Sequence, residues 1–374
     1  CDILPEVHYN YEHRLFPLAR CRIESDGERL LSCETLDDPF ATEYETPPLR
    51  VAELQGDCIL GGRYPRLRSL TYTFEERSIT WEDGPERDLL ISFSDCLRQT
   101  DPDLIWTSGG DDALMPALFG LAARHRVHLA LDREPNLERQ LVMDGRSYVS
   151  YGRVLYQSPD YPLFGRWHLD RRNTFLGAES GLDGLIEVAR LSKIPLQRIA
   201  RRSIGTGISS IQLDWAYRNQ FLIPWKKSRP EDWKSASALL RSDRGGLTYQ
   251  PITGVYENVV ELDFASMYPS IMVNRNVSPE TVNCRCCAPN RAVPELEYTI
   301  CEKRKGLVPH SIDPIIRKRE EYKRLRRRAR EAGDEALYRR YDGRQCALKW
   351  LLVCCFGYLG YRNARFGRIE AHES

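Results

Sequence analysis

The residues of this chain best suited to chemistry on a phosphate are Asp263-Phe-Ala-Ser-Met-Tyr-Pro-Ser-Ile-Met272. They follow an apolar run, Val259-Val-Glu-Leu262, which predicts a buried strand ending in the Asp263 carboxylate. Transfer at a phosphate needs charge stabilisation more than covalent chemistry. Two divalent ions about 3.5–4 Å apart clamp the attacking and leaving oxygens, and carboxylates hold the ions. A strand end gives such a carboxylate a fixed direction, and the amides of the turn after it can meet phosphate oxygens. An isolated Asp at a strand end would more simply cap a helix. That simpler role leaves Ser266, Tyr268, Pro269 and Ser270 at their fixed offsets unexplained.

A second candidate is basic. Residues 317–340 carry eleven Arg or Lys against five Asp or Glu, a local net of +6 in a chain whose total is only +1. Such a stretch is either a phosphate-facing surface or a solvated helix laced with ion pairs. A third is the group Cys284, Cys286, Cys287 and Cys301, which could supply four thiolates to zinc. Cys-x-Cys-Cys with a distant fourth Cys is not a standard knuckle, so reduced thiols without metal are the expectation and zinc the lesser alternative. His310 is a further, weaker candidate ligand.

The Asp263 stretch resembles the first palm motif of family B DNA polymerases, departing from the family's pattern only at Met267, where Leu is usual. Asn276-Val-Ser-Pro-Glu-Thr-Val-Asn283 resembles the segment that follows it. Arg317-Lys-Arg-Glu-Glu-Tyr-Lys323 resembles the first fingers helix, and Arg344-Gln-Cys-Ala-Leu-Lys349 with Phe356-Gly-Tyr358 resembles the second fingers motif. The resemblance, to a divergent archaeal or bacterial type, runs from about residue 8 to 372. It implies Asp263 as a catalytic Mg²⁺ ligand and Tyr268 as a ring under the incoming sugar that leaves no room for a 2′-hydroxyl. Ser266 and Met267 would adjoin the nucleotide. Arg319, Lys323, Lys349 and Arg344 would form a cationic wall against its triphosphate, and Phe356 would stack near the nascent base pair. Gly357, Tyr358 and Arg244-Gly245-Gly246 would touch DNA. Val353 and Cys354 stand where the family carries Asn and Ser, which puts efficiency or fidelity in doubt.

Asp101-Pro-Asp-Leu-Ile-Trp-Thr-Ser-Gly-Gly-Asp-Asp-Ala-Leu114 resembles the second motif of the family's proofreading domain. Gly109 takes the place of its Asn, and Leu114 that of its metal-binding Asp. The first motif aligns with Gln55-Gly56-Asp57, and Phe175 to Glu179 is the nearest match to the third. A hydrolytic two-metal site does not survive the loss of most of its carboxylates. The expectation is an RNase H-like scaffold without 3′→5′ exonuclease activity. A site relocated to Asp57, Asp111 and Asp112 is the alternative.

The elements that must position these groups imply a multidomain α/β and α+β chain. It would combine an RNase H-like exonuclease-type domain with a partial right-hand polymerase, palm and helical fingers. Expected divisions are an N-terminal segment (1–45), the exonuclease-like domain (46–180), a helical connector (181–258), palm (259–300), fingers (301–358) and a return to palm (359–374). A second unit is expected to begin at 49–54, with strands at 70–74 and 127–131, a turn then strand over 101–106, and helices at 88–99, 115–125, 313–330 and 335–355. Residues 181–222 read as helical, broken at Gly205 and Gly207. With 374 residues, 42% hydrophobic and 29% charged, the chain has material for two or three domains. No stretch approaches the roughly 18–20 apolar residues of a membrane span, and the twelve cysteines are not spaced as a disulfide framework. A cytoplasmic, nucleoid-associated protein is expected. Its implied partners are primer–template DNA and deoxynucleotides, with a C-terminal polymerase fragment or a sliding clamp as further ones. The family's second carboxylate motif does not occur before Ser374, so it is expected downstream or in another chain. The competing reading is a catalytically inactive DNA-binding scaffold or one subunit of a split polymerase.

Overall fold

The computed structural model describes residues 3–59, 65–82, 84–134, 145–150, 153–225, 232–242, 249–288 and 291–374. The chain divides into two compact units. One is formed by 1–42, 187–194 and 204–374, the other by 43–186 and 195–203. The first unit begins with helix α1 (Pro5–Glu12) and the hairpin β1 (Cys21–Asp26) and β2 (Arg29–Thr35).

The second unit is built on β3 (Val51–Ile59), β4 (Arg66–Phe74), β5 (Arg77–Glu82), β6 (Leu104–Thr107) and β9 (Trp167–Asp170), with the hairpin β7 (Arg146–Ser150) and β8 (Arg153–Gln157) apart from them. The five strands lie in the order β5-β4-β3-β6-β9. β3, β4 and β5 are antiparallel, while β6 and β9 join parallel to β3. Alternation along β4 buries Leu70, Tyr72 and Phe74. An irregularity opposite Asp57–Cys58 shifts the phase, so that Leu67 is buried as well. Helix α2 (Glu86–Thr100) buries Leu89, Leu90, Phe93 and Leu97 at helical spacing, and α3 (Met115–His125) buries Met115, Leu118 and Leu121. A single π-turn, Gly110–Leu114, leads into α3.

The strand expected at 127–131 does not form. Leu129, Ala130 and Leu131 are buried as expected of an apolar run, but their backbone is satisfied by a side chain. The Ser94 hydroxyl donates to the His128 carbonyl and accepts from the Ala130 amide, each at 3.0 Å. One hydroxyl on α2 takes the place of a neighbouring strand.

Helix α4 (Phe175–Ser192) begins in this second unit, with Gly181 at φ +65° interrupting it, and its last turns belong to the first. Then come α5 (Leu196–Ala200), α6 (Ile204–Arg218), α7 (Ala236–Ser242), α8 (Met267–Asn274), the short pair β10 (Arg291–Ala292) and β11 (Thr299–Ile300), α9 (Leu307–Glu331), α10 (Glu335–Gly360) and α11 (Ile369–Glu373). The connector is not broken at Gly205 and Gly207, which lie inside α6. Gly205 serves packing instead: a Cβ there would stand 1.9 Å from the Tyr358 ring.

The two long helices expected at 313–330 and 335–355 are α9 and α10, joined by a turn with Gly333 at φ +71°. Tyr322 stacks on Tyr341 between them, and Arg326 pairs with Asp342 at 2.5 Å. Beneath them lies an ionic core. Lys318 meets Glu187 at 2.6 Å, Tyr322 donates to Glu187 at 3.0 Å, and Lys318 also donates to the Pro39 carbonyl. Arg190, fully buried, pairs with Asp37 at 2.8 Å.

Residues 259–264 form no strand. Val259, Val260, Leu262 and Phe264 are all exposed. A strand exists only as part of a ladder, and among the described residues none lies beside this segment. No helix of the described residues is long and apolar enough to cross a membrane.

Candidate functional site

The Asp263 stretch is a turn wired to itself and to α9. Asp263 is exposed and precedes a left-handed residue, Ser266, at φ +50°. The chain then enters α8, whose first turn tolerates Pro269 because its first amides have no intrahelical acceptor. Ser270 Oγ donates to the Ala265 carbonyl at 3.1 Å, and the Ser270 amide to the Ser266 carbonyl at 2.9 Å. Ser266 Oγ accepts from Arg319 of α9 at 2.8 Å. The two serines of the pattern therefore set the turn, and one of them ties it to the basic helix.

Tyr268, half exposed, stacks on Phe356 of α10 at 4.3 Å and 25°. Phe356 in turn stacks on His372 of α11 at 4.3 Å, and His372 Nδ1 lies 3.2 Å from the Phe356 carbonyl. Tyr268, Ile271, Met272, Phe356, Leu359 and His372 help line a cleft of about 270 Å³. His372 carries no signal in the sequence that would tie it to Tyr268, since only the fold brings them together. Met267, next to Tyr268, is exposed.

The cationic residues separate by burial. Arg319 is half-buried, and its Nε is buried without a hydrogen-bond partner. Lys323 lies one turn along the same helix, and burial, then Arg319 and Arg326, hold its ammonium below the ordinary lysine range. Burial holds the Arg319 guanidinium below its ordinary range against the opposing pull of Cys346. Lys349, one turn beyond Cys346 on α10, is exposed, and its ammonium lies 5.4 Å from the Trp350 ring centre. Arg344 does not join this wall. It is 1% exposed, lies over the Tyr322 ring at 5.8 Å and donates to the Thr42 carbonyl at 3.4 Å, as part of the ionic core. Tyr358, expected to touch DNA, packs on Gly205, while Gly357 is exposed. Arg244, Gly245 and Gly246 lie outside the described residues.

The segment after α8 has a role that the sequence did not disclose. Leu307 and Val308 donate their amides to the Glu280 carboxylate at 2.5 Å and to Ser278 Oγ at 3.1 Å. Asn276 accepts from the Gly306 amide at 2.7 Å and donates to the carbonyls of Cys301 and Arg304, each at 2.8 Å. A remote stretch thus caps the start of α9. Close by, the sulfurs of Cys284, Cys286, Cys287 and Cys301 lie within 4.8 Å of one another. His310 is elsewhere, stacked on Trp215 at 5.0 Å. Burial would raise the Cys301 thiol, but the amides of Arg304 and Lys303 and the neighbouring thiols bring it to about 6.

In the second unit the degenerate positions are occupied by packing. A Cβ at Gly56 would stand 2.6 Å from Leu114, so the leucine at the carboxylate position lies against the strand that would have faced it. Gln55 and Asp57 are exposed, and Asp57 reaches Arg68 at 3.8 Å. Gly109, at φ +81°, donates its amide to Asp170. Asp111, fully buried, accepts from Arg201 at 2.8 and 3.0 Å, from Asn173 at 2.8 Å and from the Tyr161 amide at 3.0 Å. Burial would raise its carboxyl, but these partners hold it below the ordinary carboxylate range. Asp112 accepts from Ser158 at 3.0 Å. The alternative site at Asp57, Asp111 and Asp112 is not assembled, because Asp111 is committed to Arg201.

Residues 194–372 match the model of DNA polymerase family B. A DNA polymerase 2 of Saccharolobus solfataricus is 37% identical over 190 residues, covering 51% of this chain and 27% of that protein. A DNA polymerase 1 of Pyrococcus abyssi is 26% identical over 360 residues, covering 82% of this chain and 46% of that protein. The family B DNA polymerase structure from Pyrobaculum calidifontis shares the fold at a TM-score of 0.74 and 21% identity, covering all of this chain and 55% of its own. Over residues 194–372 the chain is similar to DNA polymerase family B. It spans less than half the length of the two relatives.

Proposed function

We propose that this chain carries the nucleotide-selecting part of a DNA-directed DNA polymerase, adding deoxynucleotides to a primer 3′-OH under a template. The observation that carries the proposal is the joining of the Asp263 turn to both long helices, through Ser266–Arg319 and Tyr268–Phe356. This wiring supports a site in which a carboxylate, a sugar-facing ring and a basic helix act on one nucleotide. Arg319, with its unspent buried Nε, together with Lys323 and Lys349, would meet the triphosphate. Tyr268, backed by Phe356, would exclude a 2′-hydroxyl.

Magnesium supplies charge neutralisation at the reacting phosphate when bound. Among the described residues one carboxylate, Asp263, fits that task, and no carboxylate cluster stands beside it. The second unit would be a scaffold without proofreading, a reading supported by Leu114 against Gly56 and by the engagement of Asp111 with Arg201. Lack of proofreading and the changed residues Val353 and Cys354 favour a role in repair or lesion bypass, in the cytoplasm at the nucleoid.

Primer extension by the full-length protein tests the proposal. Asp263→Ala should abolish extension while leaving primer–template binding within about twofold. Extension undiminished in that variant would remove Asp263 from the site. Absence of extension in the unmodified protein, with DNA binding retained, would favour a scaffold or a split enzyme instead. Metal-dependent shortening of the primer would refute the inactive second unit.

A further inference from the structure

We infer that Cys284, Cys286, Cys287 and Cys301 form a closed tetrathiolate site for a single Zn²⁺ that staples the loop after α8 to the start of α9. Four of the sulfur–sulfur separations are 3.5, 3.5, 3.5 and 3.6 Å, and none of the six exceeds 4.8 Å. A tetrahedron of Zn–S bonds of about 2.3 Å has edges of about 3.8 Å. The four sulfurs thus stand close to where one tetrahedral ion would hold them. An iron–sulfur cluster places its irons between the cysteines and spreads the sulfurs more widely than one ion does.

The surroundings are those of a built site. Cys301 is buried and the other three are half-buried. The two limbs that bear them are laddered together next to the sulfurs: Val282 bridges Ile300, the Asn283 amide donates to Thr299, and the Cys301 amide donates to Thr281 at 2.8 Å. The loop just beyond Cys301 is held in place by Asn276, whose side-chain amide donates to the Cys301 and Arg304 carbonyls at 2.8 Å each, so the ligand that closes the group is fixed by second contacts of its own backbone. Four protein thiolates leave no open position, so the ion is structural and takes no part in bond making. The hairpin limb ending in Cys301 leads through Asn276's contacts into Gly306 and α9. Holding the cluster therefore holds the root of the basic helix. The inference stands apart from the polymerase reading, because it concerns metal content.

The test uses the full chain, expressed with zinc and freed of loosely held metal. Mass-spectrometric metal analysis should find about one zinc per chain. The metal-free chain reconstituted with Co²⁺ should show the near-ultraviolet thiolate-to-cobalt band and intense red ligand-field bands of a tetrahedral tetrathiolate. The double variant Cys286→Ser/Cys287→Ser should lose at least nine-tenths of the zinc, while Cys58→Ser/Cys96→Ser should keep it. If the first variant does not fold, titrating the unmodified chain with a thiol-blocking mercurial should release one zinc for every four protected thiols. Zinc at background level, iron with labile sulfide in its place, disulfides among these four cysteines in freshly prepared protein, or zinc release unlinked to thiol modification would each overturn the inference.

Discussion

At the scale of single residues, Arg319 and Arg344 show how alike sequence neighbours diverge. Both are arginines on long helices, and both were expected at the triphosphate. Arg319 reaches Ser266 and keeps a buried Nε without a partner, whereas Arg344 is enclosed with Tyr322 and the Thr42 carbonyl. Arg319→Ala should therefore weaken nucleotide use, raising the apparent KM for deoxynucleotides about tenfold or more, a loss of about 1.4 kcal/mol. The melting temperature should change little. Lys318→Met should act the other way: it leaves the fully buried Glu187 without its cation and should cost about 3–5 kcal/mol of stability. Steady-state kinetics set beside thermal melting separates the two outcomes, and a Lys318→Met protein as stable as the parent would show that the ionic core does not hold α9. Tyr268 belongs at this scale too. With its ring resting on Phe356, Tyr268→Ala should lower discrimination against ribonucleotides at least tenfold in single-nucleotide incorporation.

At the scale of elements, α9 starts where it does because a remote segment caps it. Glu280→Ala or Ser278→Ala removes one acceptor from the amides of Leu307 or Val308. Each should cost about 1 kcal/mol and speed hydrogen exchange at those two amides while leaving the middle of α9 protected. Uniform exchange along α9 in both variants would count against a local cap. The helices α9, α10, α2 and α3 were legible beforehand because each sustains helical spacing over three or more turns. The strand at 127–131 was misread because apolar content reports burial and not the source of hydrogen bonds, which Ser94 supplies. Gly205 was misread because a glycine within a helix looks like a break until the ring that needs the space is known. At the site, the Asp263–Ser270 pattern was legible as a set of offsets. The four cysteines were legible as a group but their closeness was not, because 13 residues separate Cys301 from Cys287 and it is brought back by the β10–β11 ladder and the Val282–Ile300 bridge.

At the scale of the whole molecule, a near-neutral chain hides charges in its interior, and their protonation sets where the fold holds. His168 is the clearest case. It is completely buried, its Nδ1 donates to the Tyr161 carbonyl and its Nε2 meets Thr107 Oγ1 at 2.8 Å. Burial first, then the Arg201 guanidinium, push its pKa from 6.5 down to about 4, against the opposing pull of Asp111, the Tyr161 carbonyl and Asp170. Between those values the unfolded chain binds a proton that the folded one refuses, so stability falls as pH drops from 6.5 to 4, by roughly 3 kcal/mol. Asp111 extends the loss: its carboxyl lies below the ordinary range, so its contribution disappears only as pH falls further. Thermal melting of the full chain across this range should therefore show the unfolding of the second unit moving steadily to lower temperature on acidification. In His168→Gln the amide retains hydrogen bonding but does not titrate, and the slope between pH 6.5 and 4 should flatten even if the variant is less stable at neutral pH. Equal slopes in the two proteins would mean that His168 accepts its proton in the fold, and the charge balance around Asp111 and Arg201 would have to be redrawn.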